Sequence, residues 1–532
     1  MNFSKTTRLF DTIVHLKKRQ IAYRLKYIFF KKKRLSILKK HLLTNTSQKV
    51  SLHNIQFLPE KSSLDQLGSV CFLNQTQEFT GFPNWGQMNY GLLWNYKLNY
   101  FSFLLQENFN PEFGKVLILN HKQTVLSGSA PESLDPYPVS LRLINCLVFL
   151  SLHPNLLNEE LTIWLNAQAR LLADFPEYHV DGNHLLENAI ALVFSGLLLE
   201  DSKVADQGFA LLGKTLKEQY LEDGAHFELC PMYHILLTYR LLLLYQVVKR
   251  ISMNGFEPIL KKSLEKQLGW ITAMQFDDGS LPEFNDYIEE EHPLPEKVLK
   301  LAADLNIYPY PVKLKDSGYR KFTNSLFEVF VDVGKIGPDF IPGHSHADQL
   351  SFVLKAGEKK VFLDTGTTTY ADTPDRMFEK STAAHNTVFL DQTSSAEVWG
   401  GFRVAKRGKV VITNETPFSI SAYHTGYKHL GYRHSRTFKI SADRFEIIDK
   451  IKGQPLSCEA KFVFETSPVL ANNLSEELHF EILGFTLQFK NATSFSLKES
   501  WYGGGFSIKK PCSILIVNFS EELFTSFQKL AG

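Results

Sequence analysis

The chain has 532 residues, too many for one hydrophobic core, so two large domains are expected. Hydrophobic residues make up 44% and charged residues 21%, a globular rather than a disordered balance. The net charge of +2 exerts no global pull toward nucleic acid, so no nucleic-acid partner is expected and an acidic partner must be met by local cations. Five scattered cysteines (Cys71, Cys146, Cys230, Cys458 and Cys512) with no CxxC step argue against a disulfide framework. No apolar run is long and charge-free enough to span a bilayer.

Residues 1–45 form a basic segment. Lys5, Arg8, Lys17, Lys18, Arg19, Arg24 and Lys26 interrupt every apolar run, so no signal-peptide core is readable. Arg24 to Lys40 is basic and aromatic and contains Tyr27-Ile28-Phe29-Phe30-Lys31-Lys32-Lys33-Arg34. It reads either as an amphipathic helix making peripheral contact with anionic lipid or as a solvated basic helix leading into the domain. Short β-like pieces follow, over 50–52 and Ser69 to Leu73.

From Asn84 the texture is helical. Trp94, Leu98, Phe101 and Leu105 keep helix spacing, and apolar-periodic stretches recur over 138–145, 161–172, 183–199, 206–220, 232–251 and 258–274. Short Gly-, Pro- or Asp-containing breaks separate them, as in an α/α array closed as an incomplete toroid. Two stretches carry polar residues where a core helix would not. In Asp181-Gly182-Asn183-His184-Leu185-Leu186-Glu187, Asn183 and Glu187 share a helix face; the plain alternative is a helix start capped by Asp181 or Asn183. In Pro231-Met232-Tyr233-His234, Pro231 suits a first turn and leaves Tyr233 near a helix start, either facing a cleft or bonded across helices.

Around Tyr308-Pro309-Tyr310-Pro311 the texture changes, and from Tyr319 short β-rich runs separated by turns point to an antiparallel β-sandwich. The reading is therefore an α+β multidomain chain: a basic segment over 1–45, an α/α toroid over 46–315 and a β-sandwich over 316–532. A cleft between the two is the expected site.

Within the β half, Gly343-His344-Ser345-His346-Ala347-Asp348, Val361-Phe362-Leu363-Asp364-Thr365-Gly366 and Ser381-Thr382-Ala383-Ala384-His385-Asn386-Thr387 place three histidines and several aspartates among short strands. His346, Asp364 and His385 offer two imidazoles and a carboxylate, a usual zinc set; the alternative is histidines bonded to backbone at strand ends. In an extended HxH step both side chains point the same way, so His344 either shares the metal or faces a cleft beside it.

These blocks, together with Asn183-His184 and the Pro-x-Tyr-His setting of Tyr233, resemble the heparinase II/III family of bacterial polysaccharide lyases. Pro136-Tyr137-Pro138-Val139-Ser140-Leu141-Arg142 is similar to its helical domain. The resemblance covers roughly residues 80 to 410. It implies one structural divalent ion, zinc, on His346, Asp364 and His385, with Asn183, His184, Tyr233 and His344 as catalytic residues. It also implies an acidic polysaccharide substrate and a periplasmic or cell-envelope location. The unreadable signal peptide leaves the cytoplasm open.

The chemistry fits. Removing the proton at C5 of a uronic acid builds charge on its carboxylate, which Asn183 and His344 are expected to neutralise. Tyr233 is expected as base, with Tyr370 or a histidine as the alternative, and the same hydroxyl or a histidine as the acid; the reference pKa of about 10 requires nearby cations, for which Arg240, Arg376 and His344 are candidates. Glu187, Arg240 and Arg376 are assigned to substrate binding. Two other readings stand beside this one: a glycoside hydrolase recruiting Glu187, Glu228 and Asp286, and a non-catalytic glycan-binding or polymer-assembly protein.

Overall fold

Proline and short polar residues punctuate the helical half. Asn110, Asn158 and Asp201 each accept a hydrogen bond from the opening turn of the helix they precede: Pro111–Ser127, Glu159–Asp174 and Ser202–Gln219. Pro111, Pro136, Pro231 and Pro295 open their helices, where no N–H is needed. The computed structural model describes residues 3–43, 50, 52–65, 68–251, 255–474 and 477–530. Ser51, inside the β-like piece expected over 50–52, and the 45–46 junction lie outside them.

The remaining helices of this half are Gly91–Tyr100, Pro136–Leu152, Gly182–Leu198, Pro231–Ile251, Phe256–Ala273 and Pro295–Asp304. Gly182–Leu198 is buried along almost its whole length and packs against Pro136–Leu152, Ser202–Gln219 and Pro231–Ile251. Two glycines allow its closest approach: a Cβ on Gly196 would fall 2.4 Å from the Ala205 nitrogen, and one on Gly208 2.6 Å from that of Val193. The helix expected to run from Trp94 through Leu105 stops at Tyr100. Phe101 turns left-handed (φ 61°), its ring stacked on Trp85 at 4.9 Å, and a 3-10 turn follows.

The last helix of this half ends at Asp304, and the strands that follow begin at Tyr319. Four antiparallel strands (Tyr319–Thr323, Glu328–Asp332, Phe352–Ala356 and Lys359–Phe362) make one sheet. A ten-stranded antiparallel sheet faces it, led by the long pair Phe485–Gly505 and Ile508–Lys529. The phenylalanines fill the space between. Phe352 meets Phe445 at 5.5 Å, and Phe362 meets Phe464 at 4.9 Å and Phe527 at 5.3 Å. Much of the aromatic excess is thus core. The architecture is the expected one, helices first and an antiparallel sandwich second.

The basic N-terminal segment folds as helices Phe3–Ile13, Lys18–Phe30 and Arg34–Leu43 strapped across both halves. Arg8 pairs with Glu397 (2.7 Å) and Thr12 accepts from Trp399 (3.2 Å), both on the β side. On the α side Arg34 and Tyr27 converge on buried Asp135, which also accepts from Tyr96 at 2.6 Å. Burial alone would raise the Asp135 pKa; Arg34 and the two phenols bring it below its ordinary value.

Arg34→Met leaves Asp135 buried without its cation, a loss of about 3 kcal/mol for a broken buried pair. The melting temperature at pH 7 is expected to fall clearly, whereas Lys39→Met on the exposed side changes it little. Because the folded-state pKa is depressed, this stabilisation is present above the unfolded value of about 4 and lost as pH falls through the folded value. The gap between wild type and Arg34→Met should therefore close in acid.

Candidate active site

Asn183 sits at the start of the most buried helix, and the cap there is Asp181. Asp181 is held at φ 72°; one carboxylate oxygen accepts the Gly182 N–H at 3.0 Å and the other accepts Arg19 from the N-terminal strap at 2.8 Å. Asn183 is thereby released from capping. Its backbone N–H donates to Glu228 Oε1 and its Nδ2 to Glu228 Oε2, both at 2.8 Å. Gly182 is obligatory for this clamp: φ is 56° and a Cβ would lie 2.0 Å from Glu228 Oε1. The Asn183 amide nitrogen also lies 3.5 Å from His344 Nε2, from the other half of the chain.

His344 is carried by the loop before strand Phe352–Ala356. Its Nδ1 faces Asp286 Oδ2 at 2.9 Å, which fixes the ring and leaves Nε2 toward Asn183 and Glu228. Asp286 is wholly buried. Its Oδ1 meets His346 Nε2 (2.8 Å) and Thr367 Oγ1 (3.1 Å), and it accepts both terminal nitrogens of Arg376. Burial opposes its ionisation, but Arg376 and the two histidines hold its carboxyl well below the usual range.

Tyr233, on the first turn of Pro231–Ile251, lays its ring 4.0 Å from His344 and sets its hydroxyl 3.2 Å from that of Tyr370. Phe402 closes this side, 5.9 Å from His344 and 5.3 Å from Tyr370. Burial, Tyr370 and Asp286 push the Tyr233 phenol well above the ordinary tyrosine range. Of the three cations expected to lower it, Arg376 is committed to Asp286 and Arg240 to Glu187 at 3.8 Å, while His344 lies against the ring.

The site thus brings together Asn183, Tyr233, His344 and Tyr370. His184 stands beside them at the surface of the helical half, its Nδ1 3.1 Å from Glu177 and its ring 4.2 Å from that of Tyr137. Three placements differ from those expected of substrate contacts. Arg376 is fully buried beneath the site, with its Nε on the Gly401 carbonyl, so it positions Asp286 rather than meeting ligand. Glu187 and Arg240 are buried together inside the helical half, where burial pushes Glu187 up to about 7 against the opposing pull of Arg240. Sequence reasoning gave Glu228 and Asp286 only to a hydrolase; the structure makes them the anchors of Asn183 and His344.

The metal trio is real in space. His346, Asp364 and His385 are buried, with ligand atoms all within 4.8 Å of one another. Among the described residues His346 Nδ1 and His385 Nε2 are buried nitrogens without a hydrogen-bond partner. Burial brings His346 down to about 4, the neutral form a ligand needs. Burial likewise opposes charge on His385, yet Asp364, 2.7 Å from its Nδ1, raises it overall, so a positive charge is favoured at this point. Two imidazoles and a carboxylate are a donor set that could hold a metal ion.

Two family models match end to end: the heparinase II/III N-terminus over residues 139–314 and the heparinase II/III-like C-terminal region over 309–528. A heparin-sulfate lyase of Bacteroides stercoris is 26% identical over 311 residues, 52% of this chain and 44% of that protein. One of Pedobacter heparinus is 23% identical over 310 residues, 52% of this chain and 45% of that protein. The match therefore spans less than half the length of these curated relatives. Among solved structures, heparinase III has a TM-score of 0.67 at 15% identity, covering 93% of this chain and 89% of that one. A heparan sulfate lyase HepC mutant from Pedobacter heparinus has 0.61 at 15%, covering 94% and 89%. These likenesses establish the fold.

Two outcomes are expected from the geometry. Gly182→Ala forces Glu228 off the Asn183 N–H groups; it should fold with a lowered melting temperature and lose ligand affinity or turnover even though no polar group is removed. Asp364→Ala should lower both metal content by elemental analysis and thermal stability, since binding to the folded state stabilises it. A full metal complement in that variant would remove the assignment.

Proposed function

Because this chain belongs to the heparinase II/III family, we propose that it is a polysaccharide lyase acting by β-elimination on a uronate-containing, glycosaminoglycan-type chain. The observation that carries this reading is the meeting of Tyr233, Asn183 and His344 at the junction of the two halves, with ring and amide contacts of 4.0 and 3.5 Å. A hydroxyl that exchanges a proton and a pair of nitrogens that meets a carboxylate are the two parts such an elimination needs.

The uronate carboxylate docks against Asn183 Nδ2 and His344 Nε2. The Tyr233 oxygen, deprotonated, takes the C5 proton; the electron pair forms the C4–C5 double bond as the C4–O4 bond breaks, and the phenol returns its proton to O4. Tyr370, 3.2 Å away, donates to the Tyr233 oxygen while it carries charge. His346, Asp364 and His385 would hold a divalent ion, which we assign as zinc; bound there it would supply fixed positive charge and tie together the segments beside the loop that carries His344. The hydrolase reading loses two of its acids, since Asp286 is consumed by Arg376 and both histidines and Glu228 by Asn183.

An ultraviolet-absorbing unsaturated product without net water uptake, screened over uronate polysaccharides, tests the reaction. New reducing ends without that chromophore would mean hydrolysis. Tyr233→Phe should abolish product and leave the melting temperature nearly unchanged; substantial turnover would pass the role to Tyr370. Because the phenol sits above its ordinary pKa and only its deprotonated form can begin the reaction, kcat/KM should climb with pH through the neutral and mildly alkaline range without a plateau. Asn183→Ala should cost about a hundredfold or more in turnover. Asn183→Asp should be both inactive and destabilised, because its new carboxylate faces Glu228 where the amide donated at 2.8 Å.

A further inference from the structure

The helix Lys18–Phe30 is mounted with its apolar stripe facing outward. Toward the protein it presents Gln20, Tyr23 and Tyr27. Gln20 Nε2 donates to the Val180 and Phe340 carbonyls at 3.2 and 3.3 Å. Tyr23 lies 4.5 Å from Tyr178, and Tyr27 stacks on His179 at 4.2 Å while donating to Asp135 at 2.6 Å. The opposite face carries Ile21, Leu25, Ile28 and Phe29, spaced i, i+4, i+7 and i+8; Leu25 is 57%, Ile28 64% and Phe29 73% exposed. A helix stabilised by docking on its own protein buries its apolar face. This one buries the polar and aromatic face and leaves the apolar one to solvent, and the helix before it also exposes Phe10 at 67%. An apolar stripe held out in this way marks an interaction surface.

Charge identifies the occupant. Residues 1–43 hold thirteen lysines and arginines against one acid, Asp11, in a chain whose net charge is +2. On the protein Glu397, Asp181, Glu218 and Asp135 take Arg8, Lys17, Arg19 and Arg34 of this arm, and Asp174 meets His41. Lys18, Lys26, Lys31, Lys32 and Lys33 flank the apolar stripe and are exposed. Large apolar side chains rimmed by lysines on a surface helix fit the interface of an anionic bilayer, where the apolar groups enter the acyl boundary and the ammonium groups stay among headgroups. A soluble acidic polysaccharide would use the lysines but offers nothing to Leu25, Ile28 and Phe29.

We propose that the outward face of the helix Lys18–Phe30, with the lysine run after it, is a docking surface for an anionic membrane, and that the enzyme works while lying on that surface. The ion pairs that fix the arm also fix the orientation: Arg19 grips Asp181, two residues before Asn183, so the docked helix lies next to the site. The polymer is then met close to the bilayer plane.

Co-sedimentation of the full chain with vesicles tests this. Binding is expected to vesicles of phosphatidylcholine with phosphatidylglycerol, to weaken with salt, and to be poor with phosphatidylcholine alone. The triple variants Leu25→Ser/Ile28→Ser/Phe29→Ser and Lys31→Gln/Lys32→Gln/Lys33→Gln should each bind about a hundredfold or more weakly while keeping the wild-type melting temperature and turnover on a soluble oligosaccharide. Three results would overturn the proposal. The first is no binding to anionic vesicles, or equal binding by the serine variant. The second is a wild-type dimer in light scattering that the serine variant disperses, which would give the face to a second copy. The third is binding to soluble polyanion alone that the glutamine variant loses, which would give the lysines to substrate.

Discussion

Asp286 is the carboxylate around which the site is assembled. One oxygen fixes His344, the other fixes His346, and Arg376 grips both. A carboxylate buried this deeply costs several kcal/mol unless its charge is matched and its lone pairs are filled, and here five donors from three chain segments do both. The consequence is coupling. His344 faces Asn183 and His346 belongs to the buried His346, Asp364 and His385 group, and the two are held by opposite oxygens of one rigid group. A displacement of His346 is therefore passed through Asp286 to the histidine that faces Asn183.

The same bookkeeping explains how a site with acids in its floor can receive an anion. Glu228 is saturated by the backbone and side-chain N–H groups of Asn183, and Asp286 by Arg376. The Asp286 charge is thus matched by Arg376, and the Glu228 oxygens are turned to the Asn183 N–H groups. Of the arginines that sequence reasoning gave to the substrate, Arg376 is spent on Asp286 and Arg240 on Glu187. What remains facing the cleft is a set of nitrogens and two phenols, a surface that selects its ligand by hydrogen bonding more than by net charge.

Much of this was legible in the chain, because apolar period sets element type. The helices over 161–172, 183–199 and 232–251 were expected nearly where they lie, as was the strand over 460–464, and the three histidine blocks led to the metal trio. The helix Pro111–Ser127 was missed because Asn120 to Thr124 interrupt its apolar period, although Asn110 followed by Pro111 was a readable start signal. Asp286 was missed as an anchor for a different reason. It lies in an aperiodic connection between Ala273 and Pro295, and an acid there reads as solvated until its buried partners, drawn from residues 344 to 376, are seen. Capping was the ambiguity at Asn183: sequence left Asp181 and Asn183 as equals, and the left-handed turn at Asp181 and Gly182 decides it by aiming the Asp181 carboxylate back at the helix start.

A site built between two halves needs the halves held in register, and the chain does this at three places of different kind. Asp223 accepts the Lys315 and Ser317 N–H groups at 3.0 and 2.8 Å, fixing the connection into the sandwich. Asn285 takes the His346 N–H on its oxygen and gives its amide to the Leu229 carbonyl, joining the histidine loop to the turn before Tyr233. The N-terminal strap closes the outer side, with Arg8 on Glu397 and Arg19 on Asp181. The first two are buried hydrogen bonds to uncharged or singly charged groups and are insensitive to salt, whereas the strap rests partly on ion pairs nearer the surface. Its grip on Asp181, which also accepts the Gly182 N–H, ties the strap directly to the start of the Asn183 helix.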